Sequence, residues 1–101
     1  MSTKERFRYI KGYEGIYYMD ELDGEIISIK RIKRKSLKPT INNGYPRIIL
    51  SRGDKRRAYQ VSQLYIDTFY PYLKDKEIIN MVKKAINTIV VNKLQNKSKQ
   101  F

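Results

Sequence analysis

Lysine and arginine are concentrated in the middle of this chain, where they are well suited to contact a negatively charged ligand. Residues 27–57 carry eleven of them against one acidic residue, Asp54, whereas residues 1–26 carry four against six and residues 58–101 carry seven against three. Such a concentrated positive charge attracts polyanions, although a merely solvated surface is the simpler interpretation. The predicted nucleic-acid-binding residues are Lys30, Arg31, Lys33, Arg34, Lys35, Lys38, Arg47, Arg52, Lys55, Arg56 and Arg57.

Side chains that usually perform catalysis are sparse. The chain contains no His and no Cys, so the commonest general base and the thiolate metal ligands are missing. Asp20, Glu21, Asp23 and Glu25 could bind a divalent cation, but their spacing does not match an EF-hand loop, and we interpret them as a solvated turn. No arrangement of Ser, Tyr, Lys or carboxylate groups stands out. We therefore expect no enzyme activity, no catalytic residue, no metal site and no cofactor.

Tyrosines are interspersed with the positive charge. An exposed tyrosine can stack on a nucleobase, whereas a buried one contributes a large apolar area to the core. We expect core packing for most of them. The five tyrosines concerned are Tyr13, Tyr17, Tyr18, Tyr45 and Tyr59.

Short β-prone runs separated by turn residues predict strands between residues 16 and 60. Residues 30–38 are interpreted as a strand end or a loop. Alternation along a strand predicts that Arg47 and Ile48 lie on opposite faces, as do Arg56 and Arg57. The predicted strands cover residues 16–19, 25–30, 47–51 and 56–60.

After residue 60 the apolar period changes to that of a helix, because apolar side chains recur at three- and four-residue intervals from Val61 to Phe69. Pro71 predicts the end of this helix near residue 70. Asp75 can cap a second helix, over residues 75–91, with Glu77 in its first turn. The apolar side of this helix is a candidate partner or homodimer surface, formed by Ile78, Ile79, Val82, Ile86 and Ile89.

The sequence thus predicts an α+β fold. A small antiparallel sheet of short strands, about residues 16–60, packs on a helix over about 61–70, and a second C-terminal helix covers about 75–91. The expected organisation is a flexible N-terminus (1–8), a nucleic-acid-binding domain (9–70), a C-terminal helix (71–94) and a polar tail (95–101). No run of apolar residues reaches membrane-spanning length and no signal-peptide core is visible. We therefore expect a cytoplasmic protein, inside the host cell if it is viral.

Several sequence segments occur in this order along the chain: residues 9–17, 24–28, 37–39, 43–45 and 47–50, then Gly53 with Lys55, and residues 59–64 leading to Phe69. The chain is similar to the NUMOD4 module of phage and intron-encoded HNH homing endonucleases, running into the start of their HNH domain. This resemblance covers about three-fifths of the chain and implies DNA binding.

The chain departs from that pattern where the endonucleases perform their chemistry. The segment matching Val61 to Leu64 usually reads Val-His-Arg-Leu, and its His begins the catalytic site, whereas this chain has Ser62. A serine cannot replace imidazole as a general base. The later Asn-His segment is absent, because Pro71 and a Lys/Ile-rich helix follow Phe69. The resemblance therefore implies a degenerate HNH start without nuclease activity by that mechanism.

The leading functional hypothesis is a catalytically inactive, basic DNA-binding protein of viral or mobile-element origin, derived from an HNH homing endonuclease. DNA is favoured over RNA as its partner. Two alternatives stay open. A small viral protein could bind and modulate a host protein or nucleoprotein machine, such as a defence nuclease or a polymerase, or the chain could be a ribonucleoprotein subunit.

Overall fold

The computed structural model describes residues 6–30 and 33–98, which form seven strands and two helices. The strands make two antiparallel sheets with orders β1-β2-β3-β4 and β5-β6-β7, called here the N-terminal sheet and the central sheet. The predicted α+β fold is confirmed, but the strands divide between two sheets instead of forming one. The elements are β1 (Phe7–Tyr9), β2 (Tyr17–Asp20), β3 (Ile26–Ser28), β4 (Lys35–Leu37), β5 (Thr40–Asn42), β6 (Tyr45–Arg52), β7 (Lys55–Gln60), α1 (Val61–Phe69) and α2 (Lys76–Ser98).

The N-terminal sheet contains two strands that the sequence pattern did not predict. Strand β1 begins at Phe7, inside the segment expected to be flexible, and pairs with β2. Strand β4 lies in the basic segment 30–38 and pairs with β3. The two sheets separate between Leu37 and Thr40, where Pro39 has no N–H to continue a hydrogen-bonded ladder.

Two tight turns set the register of the central sheet. Asn43 and Gly44 both have positive φ, of 54° and 83°, as a two-residue hairpin between β5 and β6 requires. Gly53, with φ of 64°, turns the chain between β6 and β7. The turn fixes Arg52 opposite Lys55 and Arg47 opposite Gln60.

Helix α1 follows β7 without a connecting residue, since Gln60 is the last strand residue and Val61 the first helical one. It ends at Phe69, before Pro71, as predicted. Helix α2 is capped by Asp75, whose Oδ1 accepts hydrogen bonds from the N–H groups of Glu77 and Ile78. It continues to Ser98, past the predicted end near residue 91.

One hydrophobic core draws side chains from both sheets and both helices. Strand β6 alternates buried and exposed residues, β2 and β3 contribute further buried side chains, and the inward side of α1 completes the layer. The core residues are Ile10, Tyr17, Met19, Ile26, Ile48, Leu50, Val61, Leu64, Tyr65, Phe69, Ile86 and Val90.

Helix α2 packs closely on the turn between β2 and β3. Gly24 in this turn is buried and has φ of 73°. A Cβ atom at Gly24 would lie 3.2 Å from Cγ1 of Ile86 and 3.4 Å from Cγ2 of Val90. Glycine is therefore required here both for its backbone conformation and for the close approach of the helix.

Candidate nucleic-acid interface

The predicted basic residues lie at the protein surface. Ten of the eleven fall within the described residues, and all ten are solvent-exposed. Arg31 lies outside the described residues. The exposed ten are Lys30, Lys33, Arg34, Lys35, Lys38, Arg47, Arg52, Lys55, Arg56 and Arg57.

The central sheet presents arginine on both of its faces. Arg47 is exposed while Ile48, its neighbour in β6, is buried, in agreement with the predicted alternation. Ser51, which is on the Arg47 face, pairs with Arg56, whereas Leu50, on the Ile48 face, pairs with Arg57. The two adjacent arginines of β7 therefore point to opposite sides of the sheet.

One cluster of basic residues lines an open cleft of about 550 Å³ at the turn end of the central sheet. It contains Arg52, Lys55, Arg56 and Arg57, together with Lys11 from the loop after β1. The guanidinium of Arg52 also donates a 2.8 Å hydrogen bond to the carbonyl oxygen of Gly12, which fixes this loop against the sheet. The cleft therefore concentrates five cations from two separate segments.

Two tyrosines form the wall of this cleft. Their hydroxyl oxygens, on Tyr13 and Tyr59, are 2.8 Å apart, and their rings meet edge to face. Burial and the hydrogen bond with Tyr59 raise the pKa of Tyr13 to about 12. The Tyr13 hydroxyl therefore stays neutral at physiological pH.

A second basic groove, of about 500 Å³, lies between β4 and the central sheet. Lys35, Lys38 and Arg47 line it together with Thr40 and apolar side chains of β6. Its three cations come from three different strands or connections, and no acidic residue lines it. This groove and the cleft described above both border the central sheet.

Lys30 and Arg34 extend the positive charge onto the N-terminal sheet. Lys30 donates a hydrogen bond to the hydroxyl of Ser51, and its Nζ lies 5.2 Å from the ring centre of Tyr17. The guanidinium carbon of Arg34 lies 5.8 Å from the ring centre of Tyr18. Both cations therefore rest on aromatic faces and keep their charge accessible.

The acidic residues expected to form a solvated turn are instead engaged in the fold, and that interpretation needs correction. Asp20 is 1% exposed and accepts two hydrogen bonds from Arg6, at 2.7 and 2.8 Å. Lys93 of α2 lies 2.7 Å from Asp23 and 3.5 Å from Glu25. The hydroxyl of Tyr70 donates a 2.7 Å hydrogen bond to Glu21.

The segment of residues 20–25, called here the acidic turn, is thus fixed to both helices. Burial alone would raise the pKa of Asp20, but the bonds from Arg6 and the backbone N–H of Leu22 outweigh it and hold the pKa below its ordinary value. The carboxylates of Asp20, Asp23 and Glu25 lie within 4.8 Å of one another. Because Arg6 and Lys93 supply the compensating charge, these carboxylates do not neutralise the exposed basic residues.

The five tyrosines divide between core and surface. Tyr17 is 4% exposed in the core, and Tyr13 and Tyr59 pack against it. Tyr18 is half-buried on the outer side of the N-terminal sheet, and Tyr45 is 52% exposed. Exposed aromatics that the sequence reasoning missed are Phe7 and Tyr9, because their short strand was not recognised.

Helix α2 uses part of its predicted partner surface for the core. Ile86 is 3% exposed and packs with Val90, so it is not accessible to a partner, and Val82 packs partly against the same core. Ile79 is half-buried. Ile78 and Ile89 keep 45% and 41% of their surface exposed.

Ser62 stands in the first turn of α1, next to Val61, and is 1% exposed. Its neighbour Gln63 is half-buried and donates a 3.0 Å hydrogen bond to Asp67 on the next turn. Within the described residues, neither side chain is positioned beside a group of carboxylates. Among the described helices, none combines the length and apolar character needed to cross a membrane.

Comparison with known proteins finds a family model that matches part of the chain. Residues 5–51 match the family model of the NUMOD4 motif. The resemblance to the NUMOD4 module predicted from the sequence is therefore confirmed. A search of curated proteins finds no match.

Among solved structures, the chain is similar to one described as "DNA binding and cleavage by the HNH homing endonuclease I-HmuI". The two share 39% sequence identity with a TM-score of 0.57, over 64% of this chain and 36% of that one. The chain therefore spans about a third of the endonuclease that it matches. This similarity is consistent with the NUMOD4 module of an HNH endonuclease.

Proposed function

We propose that this chain is a DNA-binding protein without nuclease activity, of viral or mobile-element origin, that holds duplex DNA with its basic residues. The observation that carries the proposal is the exposure of all ten described basic residues predicted from the sequence. Similarity to a homing endonuclease that binds and cleaves DNA supports the choice of DNA over other polyanions.

The paired strands β6 and β7 support duplex DNA as the ligand. The major groove is about 12 Å wide and admits a two-stranded ribbon. The hairpin of β6 and β7, with eight and six residues, is part of the three-stranded central sheet, and its turn residues 52–55 are all exposed. Arg47 and Arg56 lie on its solvent face, where both can contact phosphates, whereas Arg57 lies on the face that carries the core residues.

The chain lacks the catalytic His that related endonucleases have at the start of their HNH domain. Here Ser62 occupies that position and is 1% exposed, so it can neither accept a proton as imidazole does nor reach a phosphate. The chain has no His to take over the role. A hydrolytic site of this class therefore lacks its general base.

The test is fluorescence-anisotropy binding of labelled duplex DNA, single-stranded DNA and RNA over a salt series, with Mg²⁺ present and the products examined on a gel. About 5–7 phosphate contacts would give a slope of log K against log salt of roughly −4.5 to −6 for duplex DNA. Intact products and a steep slope support the proposal. Cleaved products would overturn the inactivity, and no binding at low salt would exclude nucleic acid and direct the search to a protein partner.

A double variant, Arg47→Gln with Arg56→Gln, locates the interface. Both side chains are exposed on one face of the central sheet. Each lost phosphate contact should make the slope less steep by about 1. The matched control is Lys84→Gln with Lys83→Gln on α2, which removes the same charge elsewhere and should leave the slope close to that of the original chain.

A further inference from the structure

The outer face of the N-terminal sheet carries a group of aromatic side chains that the core does not use. Phe7 and Tyr9 in β1 are 45% and 50% exposed, and Tyr18 in β2 is half-buried between them. The ring centre of Tyr18 lies 5.7 Å from that of Phe7 and 6.4 Å from that of Tyr9, with both pairs edge to face. These three rings are called here the aromatic platform.

The strand register explains why the platform faces solvent. Tyr18 pairs with Tyr9 in β1 and with Ile27 in β3, on the outer face. The alternate residues of β2, Tyr17 and Met19, are buried in the core. The platform is therefore an addition to the solvent face of a sheet whose other face already supplies the apolar contacts that the fold needs.

Two arginines border the platform, and Arg34 gives it a positive charge, since Arg6 is already paired with Asp20. The guanidinium carbon of Arg6 lies 5.1 Å from the ring centre of Phe7, and that of Arg34 lies 5.8 Å from the ring centre of Tyr18. Arg34 is exposed, and Asp20, the acidic group nearest to Arg6, is buried beneath it. Phe7 and Tyr18 line two open depressions, of about 530 and 490 Å³.

We propose that the aromatic platform binds unpaired nucleotides of single-stranded nucleic acid. Their bases stack on Phe7 and Tyr9, and Arg34 contacts the phosphates. Aromatic side chains on an exposed four-stranded sheet can stack unpaired bases because every base presents a π-face, and this binding tolerates any sequence. The exposed Arg34 favours a polyanionic strand over an uncharged apolar partner. This surface is separate from the central sheet, so the inference does not depend on the proposed duplex binding.

The first experiment places a fluorescent reporter in the platform. The chain has no Trp, so Phe7→Trp creates a single tryptophan. Oligothymidylate and oligouridylate of about 12 nucleotides are titrated against it, and the tighter ligand distinguishes DNA from RNA. We expect saturable quenching of the tryptophan by both strands, and weak quenching by duplex DNA, whose base faces are covered. Binding of the strands, seen by anisotropy, without quenching would overturn the proposal.

The second experiment separates stacking from general apolar contact in the otherwise unchanged chain. Tyr9→Leu keeps an apolar side chain but removes the aromatic face, and we expect about tenfold weaker binding of oligothymidylate. Tyr72→Leu is the matched control, because Tyr72 is 69% exposed and lies outside the platform. Far-ultraviolet circular dichroism checks that each variant folds. Equal affinities of the two variants would refute base stacking at the platform.

Discussion

Replacing Gly24 by alanine tests whether α2 packs on the acidic turn as closely as the structure places it. Alanine at a φ of 73° incurs a backbone cost of about 1–2 kcal/mol. Its Cβ would also meet Ile86 at 3.2 Å and Val90 at 3.4 Å, and crowding of this kind costs about 1–3 kcal/mol in a packed core. We expect Gly24→Ala to lower the free energy of unfolding by about 2–5 kcal/mol. That is a large part of the total for a small domain.

Gly15→Ala is the matched control. Gly15 has a similar φ, of 81°, but nothing lies within 4 Å of the position its Cβ would take. It therefore incurs the backbone cost of about 1–2 kcal/mol without crowding, and the smaller conformational entropy of unfolded alanine affects both variants equally. Urea unfolding followed by circular dichroism should place the midpoint of Gly24→Ala below that of Gly15→Ala by about 1 M. Equal midpoints would refute the close packing of α2 on this turn.

Three further predictions concern ionisable groups. Because the folded pKa of Asp20 is lowered, its stabilisation is present above about pH 4 and is lost as the pH falls through the folded pKa, so Asp20→Asn should flatten the acid limb of urea stability curves. The pKa of Tyr13 is raised to about 12, so the stability that its neutral hydroxyl provides should decline as the pH rises above about 10. Tyr13→Phe removes this hydroxyl and should therefore weaken the decline. Lys93→Met should lower the free energy of unfolding by about 0.5–1 kcal/mol, because its pairing with Asp23 is partly solvent-exposed. An effect of Lys93→Met that persists undiminished in 1 M salt would contradict an electrostatic origin.

The sequence predicted correctly those elements that are determined by residues close to one another in the chain. The repeat of apolar side chains from Val61 to Phe69 and the stop at Pro71 determine α1 within a few consecutive residues. Asp75 caps α2 through N–H groups two and three residues away. The exposure of the basic residues also followed from composition, because unpaired charges remain in water unless a partner compensates for burial.

Features that depend on distant partners could not be predicted. Strand β1 has three residues, too few to show a period, and its pairing with β2 defines it. The acidic turn appeared solvated because Asp23 and its partner Lys93 are 70 residues apart in the chain. Similarly, Thr88 and Val91 are poor helix formers in isolation, but packing of Val90 and Ile86 in the core favours a longer α2.

The direct junction between β7 and α1 has a mechanical consequence. Gln60 ends the strand and Val61 starts the helix, so no loop between them can absorb a rotation. A ligand that twists the central sheet would therefore rotate α1 together with β7. Since α1 and α2 share the core through Phe69 and Ile86, the displacement would continue into the C-terminal helix. A spectroscopic label on the exposed side of α2, for example at Met81, would then report events at a surface it does not touch.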